Sequence, residues 1–247
     1  MRPEGEKMLH DTPKVNFNGK KMIAHRGVSG LEAENTLAAF IAAGNRSYYG
    51  IECDIHRTAD GQYVVIHDSE TGRVAGDDVT VEKCSFDLVR NVKLNDKDGS
   101  KRKDLFIPTY REYLKICKRY KKVSIVEFKG VFEKEWIEDA VKITQEEAQL
   151  ENTIFIAFDA INLIRLREIL PAQSAQFLAG EWNDDLPGFL QKNKLDLDIY
   201  HIHLTAERIA KLHEKGITVN CWTVDDKADA EKLFEAGVDF ITSNILE

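Results

Sequence analysis

Residues 50–68 read Gly50-Ile51-Glu52-Cys53-Asp54-Ile55-His56-Arg57-Thr58-Ala59-Asp60-Gly61-Gln62-Tyr63-Val64-Val65-Ile66-His67-Asp68. Two apolar runs flank Asp60-Gly61, a dipeptide suited to a tight hairpin turn. A parallel pair would need a crossover of about a dozen residues, so these strands are predicted antiparallel. With the turn near Asp60, Asp54 falls opposite Ile66 and Glu52 opposite Asp68. His67 then returns to within about 5 Å, one strand spacing, of the two carboxylates.

This hairpin decides the count of strands. Strand-like stretches fall at 22–25, 50–56, 62–67, 123–129, 153–158, 174–179, 197–203, 217–224 and 238–242. Setting aside 62–67 as the hairpin's return leaves eight. Helical patterns lie between most of them. Residues 36–43 carry Leu37, Phe40 and Ile41, with Gly44 read as a stop. Thr109 and Glu112 have capping-box spacing after Pro108. Asp159, Thr205 and Asp226 are placed to open later helices, and Gly216 and Gly237 to end two of them. One continuous strand–helix series over this length predicts a (β/α)8 TIM barrel with the antiparallel hairpin at its mouth. Residues 68–107 are the least regular stretch and read as a short insertion over the mouth, within one catalytic domain spanning 1–247.

The composition is that of a folded globular chain: 247 residues, 43% hydrophobic and 31% charged. A formal charge of −8 argues against a nucleic-acid binder, which needs a basic surface. No run is long and apolar enough for stable membrane insertion, and the first twenty residues lack the apolar core of a signal peptide. The expected compartment is cytoplasmic, with Cys53, Cys84, Cys117 and Cys221 reduced. The basic triplet Lys101-Arg102-Lys103 reads as a solvated face.

Polar residues stand where apolar strands end, which is costly unless they pair or bind something. Glu52 and Asp54 are two apart on a strand and share a face; Glu127, from another strand, is a third carboxylate. Converging carboxylates repel unless a cation lies between them, and oxygen ligands suit Mg2+ or Ca2+. Lys129 shares the face of Glu127 and could neutralise a substrate oxyanion. Arg26 offers a planar donor set that fits phosphate. His25 and His67 titrate near neutrality and are the acid–base candidates. Together these residues predict a metal-dependent hydrolytic site.

His25-Arg26-Gly27, Glu34-Asn35-Thr36 with Ala39-Phe40, Glu52-x-Asp54, Thr58-x-Asp60-Gly61, Val64-Val65-Ile66-His67-Asp68, Glu127-x-Lys129 and Trp222-Thr223-Val224 occur in this order. The combination resembles the glycerophosphodiester phosphodiesterase family over about residues 22–243. The resemblance implies a TIM barrel, a divalent cation, and hydrolysis of glycerophosphodiesters to glycerol 3-phosphate and an alcohol. It thereby implies a role in lipid and glycerol metabolism. By matching position, His25 and His67 would be the catalytic pair, Glu52, Asp54 and Glu127 the metal ligands, and Arg26 and Lys129 the phosphate binders. Phe158 and Trp222 would line the pocket. The chain departs from the family at Ala157-Phe158 and at Ile241-Thr242-Ser243-Asn244, and its insertion has no recognisable substrate-reading residue.

Rival readings stay open at this level. A lysophospholipid or cyclising phosphodiesterase would use Val79, Val81, Phe86 and Leu88 as an apolar lip. A barrel that only binds phosphorylated metabolites would not need two histidines. His201-x-His203 has one-face spacing on the strand at 197–203 and could bind zinc. His56 is expected at the rim, His10 and His213 at the surface, and Glu181 and Trp182 near the mouth. The sequence leaves the alcohol headgroup, the oligomeric state and the assignment of acid and base undecided.

Overall fold

The computed structural model describes residues 11–16 and 19–247. The lead-in to residue 20, with His10, thus falls partly outside the described residues. Strands in chain order are β1 (Lys21–Ala24), β2 (Gly50–Arg57), β3 (Tyr63–Val65), β4 (Lys93–Asn95), β5 (Lys101–Phe106), β6 (Val123–Phe128), β7 (Thr153–Ala157), β8 (Ala175–Ala179), β9 (Asp196–Tyr200), β10 (Val219–Trp222) and β11 (Phe240–Ser243). Helices are α1 (Leu37–Gly44), α2 (Gly72–Ala75), α3 (Phe86–Asn91), α4 (Tyr110–Tyr120), α5 (Lys134–Glu146), α6 (Ala160–Ile169), α7 (Leu186–Asn193), α8 (Ala206–His213) and α9 (Lys227–Glu235).

Strands β1, β2 and β6 to β11 pair in parallel, and β1 bonds both β11 and β2, so the sheet closes into an eight-stranded barrel. All eight carboxyl ends therefore open on one face, the mouth. β3 pairs antiparallel with β2 in the register Ile55↔Val65, His56↔Val64, and the Ile66 amide bonds the Asp54 carbonyl at 3.1 Å. The predicted alignment of Asp54 with Ile66 is the one found.

Local signals act where the sequence placed them. Thr109 and Glu112 form the reciprocal capping box of α4, and the side chains of Thr205 and Asp226 cap α8 and α9. Asp159 stands at the N-cap of α6 without a side-chain cap bond. Gly44 is the last residue of α1, where the sequence placed the stop, and a Cβ there would meet the Tyr120 ring at 2.5 Å. Its role is close packing of α1 on α4, while Ile41 turns outward at 42% exposure. The predicted strand extension to His203 fails. β9 ends at Tyr200, and His201–His203 form a short 3-10 turn, so the two imidazoles do not share a strand face.

Residues 68–107 have structure of their own: α2, a 3-10 turn at Val81–Lys83, α3 and the two-stranded β4–β5 ribbon. Val81, Val89, Val92, Leu94 and Leu105 bury with Val64 and Ile66 in a second small core, with Val79 and Phe86 packed against it. The apolar lip considered from sequence is therefore mostly this core; Leu88 alone of its four residues is exposed, at 48%. Arg90 forks onto Glu112 at 2.7 and 2.8 Å, tying the insertion to the α4 cap. Arg102 is held by Glu32, Asp96 and Asp104, in keeping with a solvated salt-bridged face.

Candidate active site at the barrel mouth

The chain leaves β1 through His25, whose amide continues the ladder to the Ser243 carbonyl. Arg26 then takes φ +54° and Gly27 φ +77°. A Cβ on Gly27 would lie 2.6 Å from the backbone of Ala39, so only glycine lets this turn seat against α1. A left-handed arginine is uncommon and costs energy that the surroundings must offset. Here its amide donates to Glu52 Oε2 at 2.8 Å. The neighbour that Gly27 admits is α1.

Parallel register sets Asp54 directly beside Glu127 on β6, with Glu52 one pleat below on the same face. Carboxylate oxygens of Glu52, Asp54 and Glu127 all lie within 4.8 Å of one another, and all three residues are buried. Burial, then the neighbouring Asp54 and Glu127, drives the Glu52 carboxyl well above its usual range. Burial and Asp54 push Glu127 up to about 7. For Asp54, burial acts upward but Lys129 and Arg26 outweigh it and hold the carboxyl at about 2. Lys129 Nζ sits 2.8 Å from Glu127 and 3.5 Å from Asp54, and Arg26 Nε is 3.5 Å from Asp54. Two cations thus face three carboxylates, and Asp54 Oδ1 remains buried without a hydrogen bond. This donor set fits a hard divalent cation: all-oxygen, excess negative charge, and one buried oxygen held by an ion pair alone, without a hydrogen bond.

The two histidines have different partners. His25 Nδ1 lies 2.8 Å from Asn244 Oδ1, an oxygen that also accepts from Ser29. Asn244 is fixed in turn by Asp225, which takes its amide NH2 at 2.6 Å and its backbone N–H at 2.8 Å. Nδ1 therefore carries the proton and Nε2 of the neutral ring is left unprotonated. Burial and the adjacent Arg26 pull the His25 pKa down to about 4. His67 Nδ1 instead donates to the Asp68 carboxylate at 2.6 Å. Burial lowers the His67 pKa, while Asp54 and Asp68 act upward.

Asp68 belongs to a chain of charges. Arg73, from α2 of the insertion, donates to Asp68 at 2.6 Å and forks onto Glu34 at 2.8 and 2.9 Å. Glu34 also takes Arg26 Nη1 at 2.9 Å. The insertion thus links His67 to Arg26 through two carboxylates. His56 Nε2 donates to the His67 carbonyl at 3.2 Å. His56 is 3% exposed and lies beneath the insertion, correcting its expected place at the rim.

A cavity of about 220 Å3 is lined by His25, Arg26, Glu52, His67 and Glu127 together with the aromatic Phe158 and Trp222 and with Ile156, Leu178 and Asp198. Phe158 and Trp222 meet edge to face at 5.6 Å. Asp54 and Lys129 adjoin this lining, with Lys129 Nζ 2.8 Å from Glu127 and 3.5 Å from Asp54. Among the described residues, His201, His203, Glu181 and Trp182 do not line this cavity, and the group able to hold a metal comprises Glu52, Asp54 and Glu127. Trp182 instead carries Arg208 on its ring face at 4.8 Å, and His213 pairs with Asp239 on the outer surface.

Sequence reasoning missed Asn244, Asp68, Arg73 and Asp198. Asn35, quoted within a motif without a role, donates to Asp54 Oδ2 at 2.8 Å. Local pattern gives no sign of Asn244, which reaches His25 across 219 positions. Asp198 had a faint one, since Asp196-Leu197-Asp198 puts two acids on one strand face.

The model of the glycerophosphoryl diester phosphodiesterase family matches residues 25–246. A glycerophosphodiester phosphodiesterase of Caldanaerobacter subterraneus subsp. tengcongensis is 28% identical over 235 residues, covering 90% of this chain and 93% of that protein. Bovine glycerophosphodiester phosphodiesterase 1 is 28% identical over 263 residues, covering 91% and 78%. Among solved structures, a glycerophosphodiester phosphodiesterase from Parabacteroides distasonis superposes with TM-score 0.74 at 28% identity, covering 95% of this chain and 94% of that one. An Oleispira antarctica phosphodiesterase in complex with the product sn-glycerol-3-phosphate shares the fold, with TM-score 0.83 at 22% identity, covering 91% and 92%. The family match spans nearly every residue that builds the barrel and its mouth, and this chain belongs to the glycerophosphoryl diester phosphodiesterase family, a family of enzymes.

Proposed function

We propose that the chain hydrolyses glycerophosphodiesters to glycerol 3-phosphate and an alcohol, within a single catalytic domain that carries 68–107 as a small insertion. The observation that carries this reading is one cavity lined by both histidines, Arg26 and the carboxylates Glu52 and Glu127. Glu52, Asp54 and Glu127 would hold the divalent cation, Mg2+ or Ca2+, which when bound supplies Lewis-acid polarisation of the phosphoryl group.

His25 is the base. Its neutral ring keeps Nδ1–H on Asn244, so Nε2 takes the proton from the attacking hydroxyl, of water or of the glycerol itself. Arg26 and Lys129 receive the negative charge that grows on the phosphoryl oxygens. His67, backed by the Asp68 carboxylate, carries a proton more readily and delivers it to the leaving alcohol oxygen. Phe158 and Trp222 supply aromatic lining to the pocket.

Packing of the insertion's apolar residues into their own core supports a small diester over a lysophospholipid. Turnover of glycerophosphocholine by wild type, His25→Ala and Glu52→Ala, each with chelator and with Mg2+ or Ca2+ restored, tests the reading. Activity should return with the cation only in the wild type; chelator-insensitive turnover overturns the cation. A p-nitrophenyl diester tests the roles of the histidines. It needs no proton on departure, so His67→Ala should lose at least about tenfold less on it than on glycerophosphocholine, whereas His25→Ala should lose equally on both. Equal losses for both variants overturn the assignment.

A further inference from the structure

The outer face of α1 and α4 differs in charge from the rest of the molecule. Residues 35–51 and 113–126 contain no aspartate or glutamate, in a chain with 42 of them and a formal charge of −8. Lys115, Lys118, Arg119 and Lys121 stand exposed on α4 and its C-cap. At spacings of three and four residues, the first three share one helix face. Among the described residues, no carboxylate pairs with any of these four. The acids that border the face are claimed elsewhere: Glu112 by Arg90, Glu146 and Glu147 by Arg111, and Asp11 and Glu247 by Arg46.

An apolar seam adjoins these charges. Gly44 lies against the Tyr120 ring and Asn45 reaches its hydroxyl at 3.4 Å, so this side of α1 meets α4. Ile41, three and four residues earlier and therefore on the same side, is exposed, and Ile116 and Tyr120 are half-buried. The helix dipole favours cations in a last turn. It does not account for Lys115, a turn earlier, or for an exposed isoleucine on the neighbouring helix. Cations without counterions call for a dense anionic surface, and apolar side chains beside them call for hydrocarbon. An anionic bilayer supplies both, phosphates outermost and acyl chains just beneath, whereas nucleic acid would answer chiefly the charge.

We propose that the α1–α4 face docks the protein on an anionic phospholipid membrane, with Lys115, Lys118, Arg119 and Lys121 on the lipid phosphates and Ile41 in the headgroup layer. α4 leads into the start of β6, so its basic end lies at the barrel face opposite the mouth. Docking there leaves the cavity open to a dissolved substrate. The contact is reversible and salt-sensitive, because exposed charges supply most of it.

The test is sedimentation of the full chain with vesicles of phosphatidylcholine, alone or mixed with phosphatidylglycerol, at about 0.1 M and about 1 M salt, where the screening length falls from about 10 Å to about 3 Å. Wild type should bind the mixed vesicles at low salt, leave them at high salt, and not bind phosphatidylcholine alone. Each cation is worth about fivefold in partitioning, so Lys115→Gln/Lys118→Gln/Arg119→Gln/Lys121→Gln should lose at least about 100-fold. A control that removes as many charges from exposed positions on α7, α8 and α9, Lys192→Gln/Lys211→Gln/Lys227→Gln/Lys232→Gln, should stay within about fivefold of wild type. Ile41→Ser should lose about three- to tenfold. All these side chains are exposed, and thermal melts establish that each variant is folded. No binding of mixed vesicles by wild type at low salt, or equal losses in the two fourfold variants, overturns the docking face. Equal affinity for a DNA oligonucleotide, with Ile41→Ser unchanged, makes the face a general polyanion binder and overturns the lipid. The readout is binding, so an absence of turnover overturns the function proposed above and leaves this face standing.

Discussion

At the scale of single residues, the site works by pairing similar groups with different neighbours. His25 and His67 are both strand-end imidazoles, but one faces a neutral amide and the other a carboxylate. In the cation-free protein, the His25 imidazole should titrate near pH 4, followed through its ring C–H signals by NMR. Unfolded, the same side chain titrates near about 6.5. Between these values the unfolded chain binds the extra proton, so His25 contributes stability that is complete above about pH 6.5 and is lost as pH falls toward 4. A midpoint at the ordinary histidine value would show that the ring is not buried as described. Asn244→Ala removes the acceptor that fixes the tautomer, and kcat should drop about 10- to 100-fold with a small change in KM. Glu52→Gln separates function from stability. It should abolish cation-dependent turnover, yet raise the melting temperature of the chelated protein by about 2–4 °C, because an amide does not carry the cost of a carboxyl buried beside Asp54 and Glu127, and each kcal/mol is worth that much in a chain of this size.

At the scale of elements, the insertion reaches the candidate site through Asp68, which bonds His67, and through Arg73. Arg73 on α2 bonds Asp68 behind His67 and Glu34 behind Arg26. It is half exposed, and ion pairs of that kind contribute little to stability, about 1 kcal/mol or less. Arg73→Ala should therefore leave the melting temperature within a few degrees of wild type while lowering kcat about tenfold or more, because Asp68 and Glu34 lose their common tether. Arg73→Lys keeps the charge but not the fork, and should recover only part of the loss. A fall in melting temperature in proportion to the loss of rate would assign Arg73 to folding alone.

At this same scale, the reading of sequence met its limits for physical reasons. Apolar runs and caps are local signals, so the eight barrel strands, the hairpin and the Thr109–Glu112 box were all legible. Gly44 ends α1 as read, but its second role was not legible: only the approach of Tyr120 shows that the helix contact also needs a residue without a side chain there. His201-x-His203 was misread because an apolar residue between two histidines does not report where β9 stops. The polar residues Gln176, Asp198 and Asn220 look solvent-facing in an alternating pattern. In a closed sheet that face is the lumen, and there they are buried.

At the scale of the whole molecule, three carboxylates and their two cations are held by strands β2 and β6, which are set by the closed ladder. A cation that binds this arrangement and not the unfolded chain stabilises the whole barrel. At a hundred times its dissociation constant the gain is about 2.7 kcal/mol, a rise of about 5–10 °C in the melting temperature for a chain of this size. Differential scanning calorimetry with chelator and with Mg2+ or Ca2+ should find this rise in wild type and lose it in Asp54→Asn. A melting temperature indifferent to both ions would count against the three carboxylates as ligands.

The sequence by itself determined the order of elements, the return of His67 to the carboxylates, and the family, because hydrophobic period, turn chemistry and motif spacing act over short stretches of chain. Tertiary structure alone decided which partners most groups of the candidate site have. Asn244 reaches His25 only once the ladder closes between β1 and β11, the packing of α2 brings Arg73 onto Asp68 and Glu34, and Asp198 is buried in the lumen of the closed sheet. Proton affinity and ligand preference depend on burial and on distances of a few ångströms between residues far apart in the chain, and closure of the barrel is what fixes those distances.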